Sequence, residues 1–186
     1  MKRIQTIAFA LLALFAFASY AQNTPQSPPA DAHGMDNMTG MKMSKPAVRS
    51  SALTIIFGEK SATFSPESLA ALPHVALAAF NEHAKANQTY SGVPVMALLK
   101  PLGVTDKPHG KDLRLYLVAE GADGYGAVFA VAEVNPDVHN GTVIVADSMD
   151  GKPLGDEGAF KLVLDGEKRP ARWVRNLSEI KVKSAD

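Results

Sequence analysis

The chain has 186 residues, with 19 Lys and Arg against 19 Asp and Glu and no cysteine at all. Balanced charge gives no reason to expect nucleic acid or an anionic membrane as a partner. The missing cysteine removes disulfides, thiolate metal ligands and a thiol nucleophile from every functional hypothesis.

The N-terminus carries Lys2 and Arg3, an apolar stretch over residues 7–17, and Ser19-Tyr20-Ala21 before Gln22. That is a basic region, a short hydrophobic region and a small-residue cleavage site in the order export needs. Residues 1–21 are therefore expected to be a signal peptide, and the bacterial periplasm is the expected location. About 11 apolar residues are too few for a bilayer that requires roughly 20, so no membrane span is expected after cleavage. The remaining length suits one domain plus a tail.

Residues 22–51 are mostly Pro, Ala, Asn, Asp, Ser, Gly and Met, with hardly a branched aliphatic or aromatic residue. Such a segment cannot bury enough surface to offset its ordering entropy, and a disordered tail is expected. Within it lie His33, Met35, Met38, Met41 and Met43, which include four of the chain's seven methionines. Thioethers are soft, uncharged ligands that suit Cu(I), so copper handling competes here with a compositionally biased linker.

Leu53-Thr54-Ile55-Ile56-Phe57 is β-branched and bounded by Gly58, with a return strand expected over residues 61–64 to make a hairpin. Ser65-Pro66-Glu67 supplies an N-cap, a proline at the first helical position and a first-turn acid, predicting a short helix that stops at Pro73. Residues 74–80 read as a strand, residues 81–89 as a polar loop, and residues 95–99 as a helix introduced by Pro94. Residues 113–118 alternate, with Leu113, Leu115 and Leu117 on one face. A glycine-rich turn follows over residues 121–126, then an apolar run over residues 127–134. Further strands are expected over residues 143–146, over 160–164, where Lys161 falls in an alternating pattern, and over 180–182. Short strands and helices interleave without a regular βαβ rhythm, so the predicted class is α+β, with mixed sheets and short helices.

Several pieces share an order and spacing: Phe64-Ser65 with Leu72-Pro73, Tyr90-Ser91-Gly92-Val93-Pro94, Asp123-Gly124-Tyr125, Ala146-Asp147, Asp150-Gly151-Lys152-Pro153, and Arg172-Trp173-Val174-Arg175. Together they make residues 52–183 resemble the molybdopterin-binding domain of the sulfite-oxidase superfamily, in its short stand-alone exported form. The resemblance implies a sulfite-oxidase-type fold, molybdopterin as the cofactor to consider, and ligand-facing roles for Tyr90, Asp123, Tyr125, Arg172, Trp173 and Arg175. It also implies a cysteine thiolate on molybdenum, between the strand ending near Phe80 and the Gly92-Val93-Pro94 segment. This chain has Phe80-Asn81-Glu82-His83 there, and its only sulfurs are thioethers, poor substitutes on a high-valent metal. Glu82 and His83 are polar-loop residues for which exposure is the ordinary outcome.

Lys168, Arg169, Arg172 and Arg175, with Lys161 and Lys181, form a basic cluster suited to an anion, or a solvated face shared with Asp165, Glu167 and Glu179. No nucleophile elbow, phosphate-binding loop or paired-histidine helix is present. The leading expectation is an exported, non-catalytic binding or accessory module, with a small anionic ligand or a periplasmic protein as partner. A molybdopterin-dependent oxidoreductase lacking the cysteine ligand is the enzymatic alternative, and Cu(I) handling by the tail is the third.

Overall fold

In a computed structural model, residues 49–81, 85–167 and 170–186 are described. The expected leader, the candidate copper ligands His33, Met35, Met38, Met41 and Met43, and also Glu82, His83, Lys168 and Arg169, lie outside the described residues. Among the described residues, no helix is long and apolar enough to cross a membrane.

The architecture is α+β: one mixed sheet and one antiparallel sheet, with few, short helices. Strands β1 (Leu53–Phe57) and β2 (Lys60–Phe64) form the antiparallel hairpin their residues predict, and α1 (Pro66–Ala70) follows. Ser65 caps α1: its side chain accepts from the Ser68 N–H while the Ser68 hydroxyl accepts from the Ser65 N–H, which satisfies two backbone donors at the helix start. Strands β3 (Val75–Asn81) and β4 (Ala86–Pro94) make a second hairpin, and Pro94 leads directly into α2 (Val95–Leu99). The later strands are β5 (Leu115–Gly121), β6 (Gly126–Ala130), β7 (Val143–Met149), β8 (Lys152–Pro153), β9 (Lys161–Leu164) and β10 (Leu177–Ser184).

The first sheet has the order β2-β1-β10-β5-β6, so the C-terminal strand β10 lies at its centre, parallel to β1 and antiparallel to β5. In the second sheet, of order β3-β4-β7-β8, strand β9 also pairs with β7. Two backbone bonds stitch β9 to the start of β10, Leu162 N–H to Val174 O at 2.8 Å and Leu177 N–H to Phe160 O at 2.8 Å. They join one sheet to the other. The core between them includes Leu53, Ile55, Leu69, Leu99, Leu117, Phe129, Ile144, Phe160, Leu162 and Ile180, each at most 1 % exposed. Gly92 is required where β4 crosses β7, because a Cβ there would lie 2.2 Å from the Val145 carbonyl oxygen.

Two expectations need correction. Residues 86–89, expected within a polar loop, belong to β4: Asn87, Gln88 and Thr89 pair with Phe80, Ala79 and Ala78 on a hairpin with one wet face, where polar side chains cost nothing. Leu113 does not share the inward face of β5; it lies in a 3-10 turn (Gly110–Arg114), 51 % exposed, and the inward set is Leu117, Ala119 and Gly121. At the N-terminal end, Ser50 is buried, and its backbone N–H donates to Asn176 Oδ1 at 2.7 Å. Arg49 reaches the Gly155 carbonyl and Asp156.

His74 ties the segment before β3 to β7. Its Nε2 lies 2.9 Å from Asp147 Oδ2, and its Nδ1 lies 2.6 Å from the Leu72 carbonyl, so both nitrogens donate when the ring is protonated. Ser148 Oγ donates to the other oxygen of Asp147. The Asp147 carboxylate raises the His74 pKa above its ordinary value. A raised value in the folded protein makes the contribution to stability complete below about pH 6.5, the unfolded value, and lost as pH climbs through the folded value. The melting temperature of the wild type is accordingly expected to fall more steeply than that of His74→Gln as pH rises above about 6.5. Parallel pH curves in thermal denaturation would refute the pairing.

Candidate functional site

The cleft is assembled by one buried turn. Asn176 adopts a left-handed conformation, φ 54°, which asparagine tolerates better than most residues. Its backbone N–H donates to Glu157 O at 2.6 Å, its carbonyl accepts from Ala122 N–H at 2.9 Å, and its side chain takes the Ser50 N–H. Three segments are thereby drawn together: the β5–β6 turn, the approach to β9 and the approach to β10. Gly121 keeps the first close, since a Cβ there would meet Asp123 Oδ1 at 2.7 Å and the Arg175 carbonyl at 2.8 Å.

The resulting cleft has a volume of about 670 Å³ and is lined by Asp123, Tyr125, Glu157, Lys161, Trp173 and Arg175, among others. Its size falls within the usual range for small-molecule sites. Its floor holds the unexpected feature. Lys161 is 5 % exposed, and its Nζ lies 2.6 Å from Glu157 Oε1 and 3.2 Å from the Tyr90 hydroxyl. The same nitrogen sits 4.7 Å from the Tyr90 ring centre and 5.2 Å from that of Trp173. The two rings meet edge to face, 5.5 Å apart at 84°. An ammonium group buried this deeply needs a counter-ion, and the negative faces of two aromatic rings supplement it. Tyr90 in turn donates to Gln88 Oε1 at 3.2 Å, and the Asn81 side chain donates to that same oxygen.

Of the residues singled out from sequence, the structure brings Asp123, Tyr125, Trp173 and Arg175 to this cleft. Tyr90 is fully buried beneath it, against Trp173 and Lys161. Arg172 points elsewhere: its guanidinium lies 5.0 Å from the Phe129 ring centre and pairs with Glu133 at 3.0 Å and with Glu167. These partners, Glu167 first, raise its pKa above the ordinary value. Asp123 and Arg175 are exposed, and neither forms an ion pair among the described residues. Asp123 Oδ1 accepts the Tyr125 N–H at 3.1 Å, fixing the turn, and the Tyr125 hydroxyl donates to the Ala171 carbonyl across the cleft.

Lys161 and Glu157 were missed as a site. Lys161 appears in sequence as the polar member of an alternating strand, but every residue of β9 is buried, because the strand runs between β7 and the 174–177 segment. An available signal was the i, i+4 spacing of Glu157 and Lys161 next to an aliphatic run.

Two polar atoms of the cleft's residues are enclosed without a hydrogen-bond partner: Trp173 Nε1 and Glu157 Oε2. Each such group costs about 1–3 kcal/mol relative to a satisfied one. The donor set does not fit a molybdenum centre. No thiolate exists in the chain, one oxygen of Glu157 is held by Lys161, and no three metal-ligating side chains converge among the described residues.

No family model matches the sequence, and no curated protein does either. Among solved structures, the chain is similar to the crystal structure of the sulfane dehydrogenase SoxCD from Paracoccus pantotrophus, with 27 % identity and a TM-score of 0.56. The match covers 75 % of this chain but 41 % of that one, so the chain spans well under half the length of that relative. The likeness points to a molybdopterin-oxidoreductase-like fold.

Breaking the buried pair has a predictable energetic cost. Lys161→Met leaves the Glu157 carboxylate without its counter-ion. Because the Glu157 side chain keeps 29 % exposure, the loss is expected at about 2 kcal/mol, below the roughly 3–5 kcal/mol of fully buried pairs. Adding Glu157→Gln to Lys161→Met is expected to recover part of that loss in urea denaturation; strictly additive losses would show that the two side chains do not interact.

Proposed function

We propose that this domain is an exported, non-catalytic binding or accessory module of the periplasm, which uses a molybdopterin-oxidoreductase-like fold to hold a small molecule and not to run metal redox chemistry. The observation that carries this reading is the floor of the cleft, where a Lys161–Glu157 ion pair packed under Tyr90 and Trp173 stands in a chain with no thiolate. The cysteine thiolate that the resemblance implies on molybdenum has no counterpart here, since the only sulfurs are neutral thioethers. The carboxylate on this floor is already neutralised by an ammonium.

The side chains present are suited to binding. Asp123 and Arg175 offer a carboxylate and a guanidinium at the exposed rim, and the rings of Tyr125 and Trp173 offer apolar walls. None of them is arranged as a nucleophile with an adjacent general base.

Elemental analysis of protein purified from its native compartment tests the proposal. Molybdenum far below stoichiometric, with no pterin fluorescence in the denatured extract, is expected. Near-equimolar molybdenum and pterin would replace the proposal with the oxidoreductase alternative. The same measurement reads copper, and a copper content that vanishes when Met35, Met38, Met41 and Met43 are together changed to Leu would give the tail its own Cu(I)-handling role.

A further inference from the structure

We propose that Asn140-Gly141 is a self-modification site, where the Asn140 side-chain amide cyclises onto the Gly141 nitrogen with the His139 imidazole as base and opens to an aspartyl or isoaspartyl residue. The two residues lie in the bend before β7, outside every strand and helix. Asn140 is exposed, and its amide has no hydrogen-bond partner among the described residues. The Gly141 N–H donates to His139 Nδ1 at 3.0 Å. Only an unprotonated ring nitrogen accepts, so the proton that must leave before cyclisation already points at a base.

The contact is built into the loop. A Cβ at Gly141 would lie 2.7 Å from His139 Cε1 and 2.9 Å from His139 Nδ1, and the glycine's φ is not positive, so the ring and not the backbone requires glycine here. The His139 N–H donates to the Asn135 carbonyl at 2.9 Å, and Asn135 is fully buried with its amide on the Asp106 carbonyl at 3.1 Å. Beyond the bend, the Thr142 carbonyl accepts the Asp165 N–H at 2.9 Å. The imidazole therefore rides on a fixed turn, while the Asn140 amide is tied to neither end.

His139 Nδ1 takes the Gly141 amide proton, the nitrogen bonds to Asn140 Cγ, and a cyclic imide closes. The bond from Cγ to the side-chain nitrogen breaks, and that nitrogen leaves as ammonia with the proton returned by the imidazolium. Water then opens the imide at either carbonyl. The product carboxylate stands at a cavity that Glu133, Asp165, Glu167 and Arg172 also line, beside the two glutamates that hold Arg172.

The test is incubation of the full chain at neutral pH, with peptide mapping by mass spectrometry that follows aspartate and isoaspartate at position 140. Folded wild type is expected to convert at least about tenfold faster than His139→Ala or His139→Gln, the second of which can accept the Gly141 hydrogen bond without taking its proton. Circular dichroism checks that each variant is folded. In urea, where the ring is no longer held on the amide, all three chains are expected to convert at similar rates. A folded wild type no faster than His139→Ala, or a His139→Gln as fast as wild type, would overturn the base. A wild-type advantage that persisted in urea would overturn the part played by the fold, and a folded chain that never converted would overturn the site.

Discussion

A lysine ammonium under an indole and a phenol ring is stable only if its charge is answered within hydrogen-bond distance. Here Glu157 answers it at 2.6 Å, from the opposite side of the turn that leads into β9. Much of the cleft depends on that pair. It fixes the floor, holds Tyr90 by a second hydrogen bond, and passes order through Gln88 to Asn81 at the end of the β3–β4 hairpin. Net stabilisation by such a pair over an apolar substitute is small, since both charges lose water. Its effect is to specify one arrangement of the side chains and to give the cleft a balanced field.

The fold and the chemistry separate at this point. Two sheets stitched by β9 and the 174–177 segment bring the β5–β6 turn, the β9 approach and the β10 approach to one place, and Asn176 locks them through two backbone hydrogen bonds and one made by its side chain. A scaffold of this kind can host unrelated sites, because what a site does is decided by the groups aimed into it and not by the sheets beneath. The likeness to SoxCD therefore speaks for the scaffold, while the side chains of this cleft speak for binding.

Much of the scaffold was legible in the residues themselves. Ser65-Pro66 announced α1 because cap chemistry is local, and Leu53 to Phe57 announced a strand because β-branched residues crowd a helix. Asp123, Gly124, Tyr125, Trp173 and Arg175 line one cleft. What stayed hidden was long-range. Composition made residues 86–89 look like a loop, since nothing local reveals that β3 lies alongside to pair with them. Arg172 and Arg175 are three residues apart and chemically alike, yet Glu133, supplied by a distant turn, and the nearby Glu167 draw one of them away from the cleft. Lys161 read as a solvated charge because its partners Tyr90 and Trp173 are brought in by other segments of the chain.

The most direct measurement is a nitrogen-15 NMR spectrum of the lysine ammonium groups in the full chain at neutral pH. The burial and hydrogen bonding of Lys161 predict one slowly exchanging ammonium signal, with protons shifted by the ring currents of Tyr90 and Trp173, that disappears in Lys161→Met. If every lysine exchanged with water too fast to be seen, the buried pair would not exist in solution, and the account of the cleft built on it would be wrong.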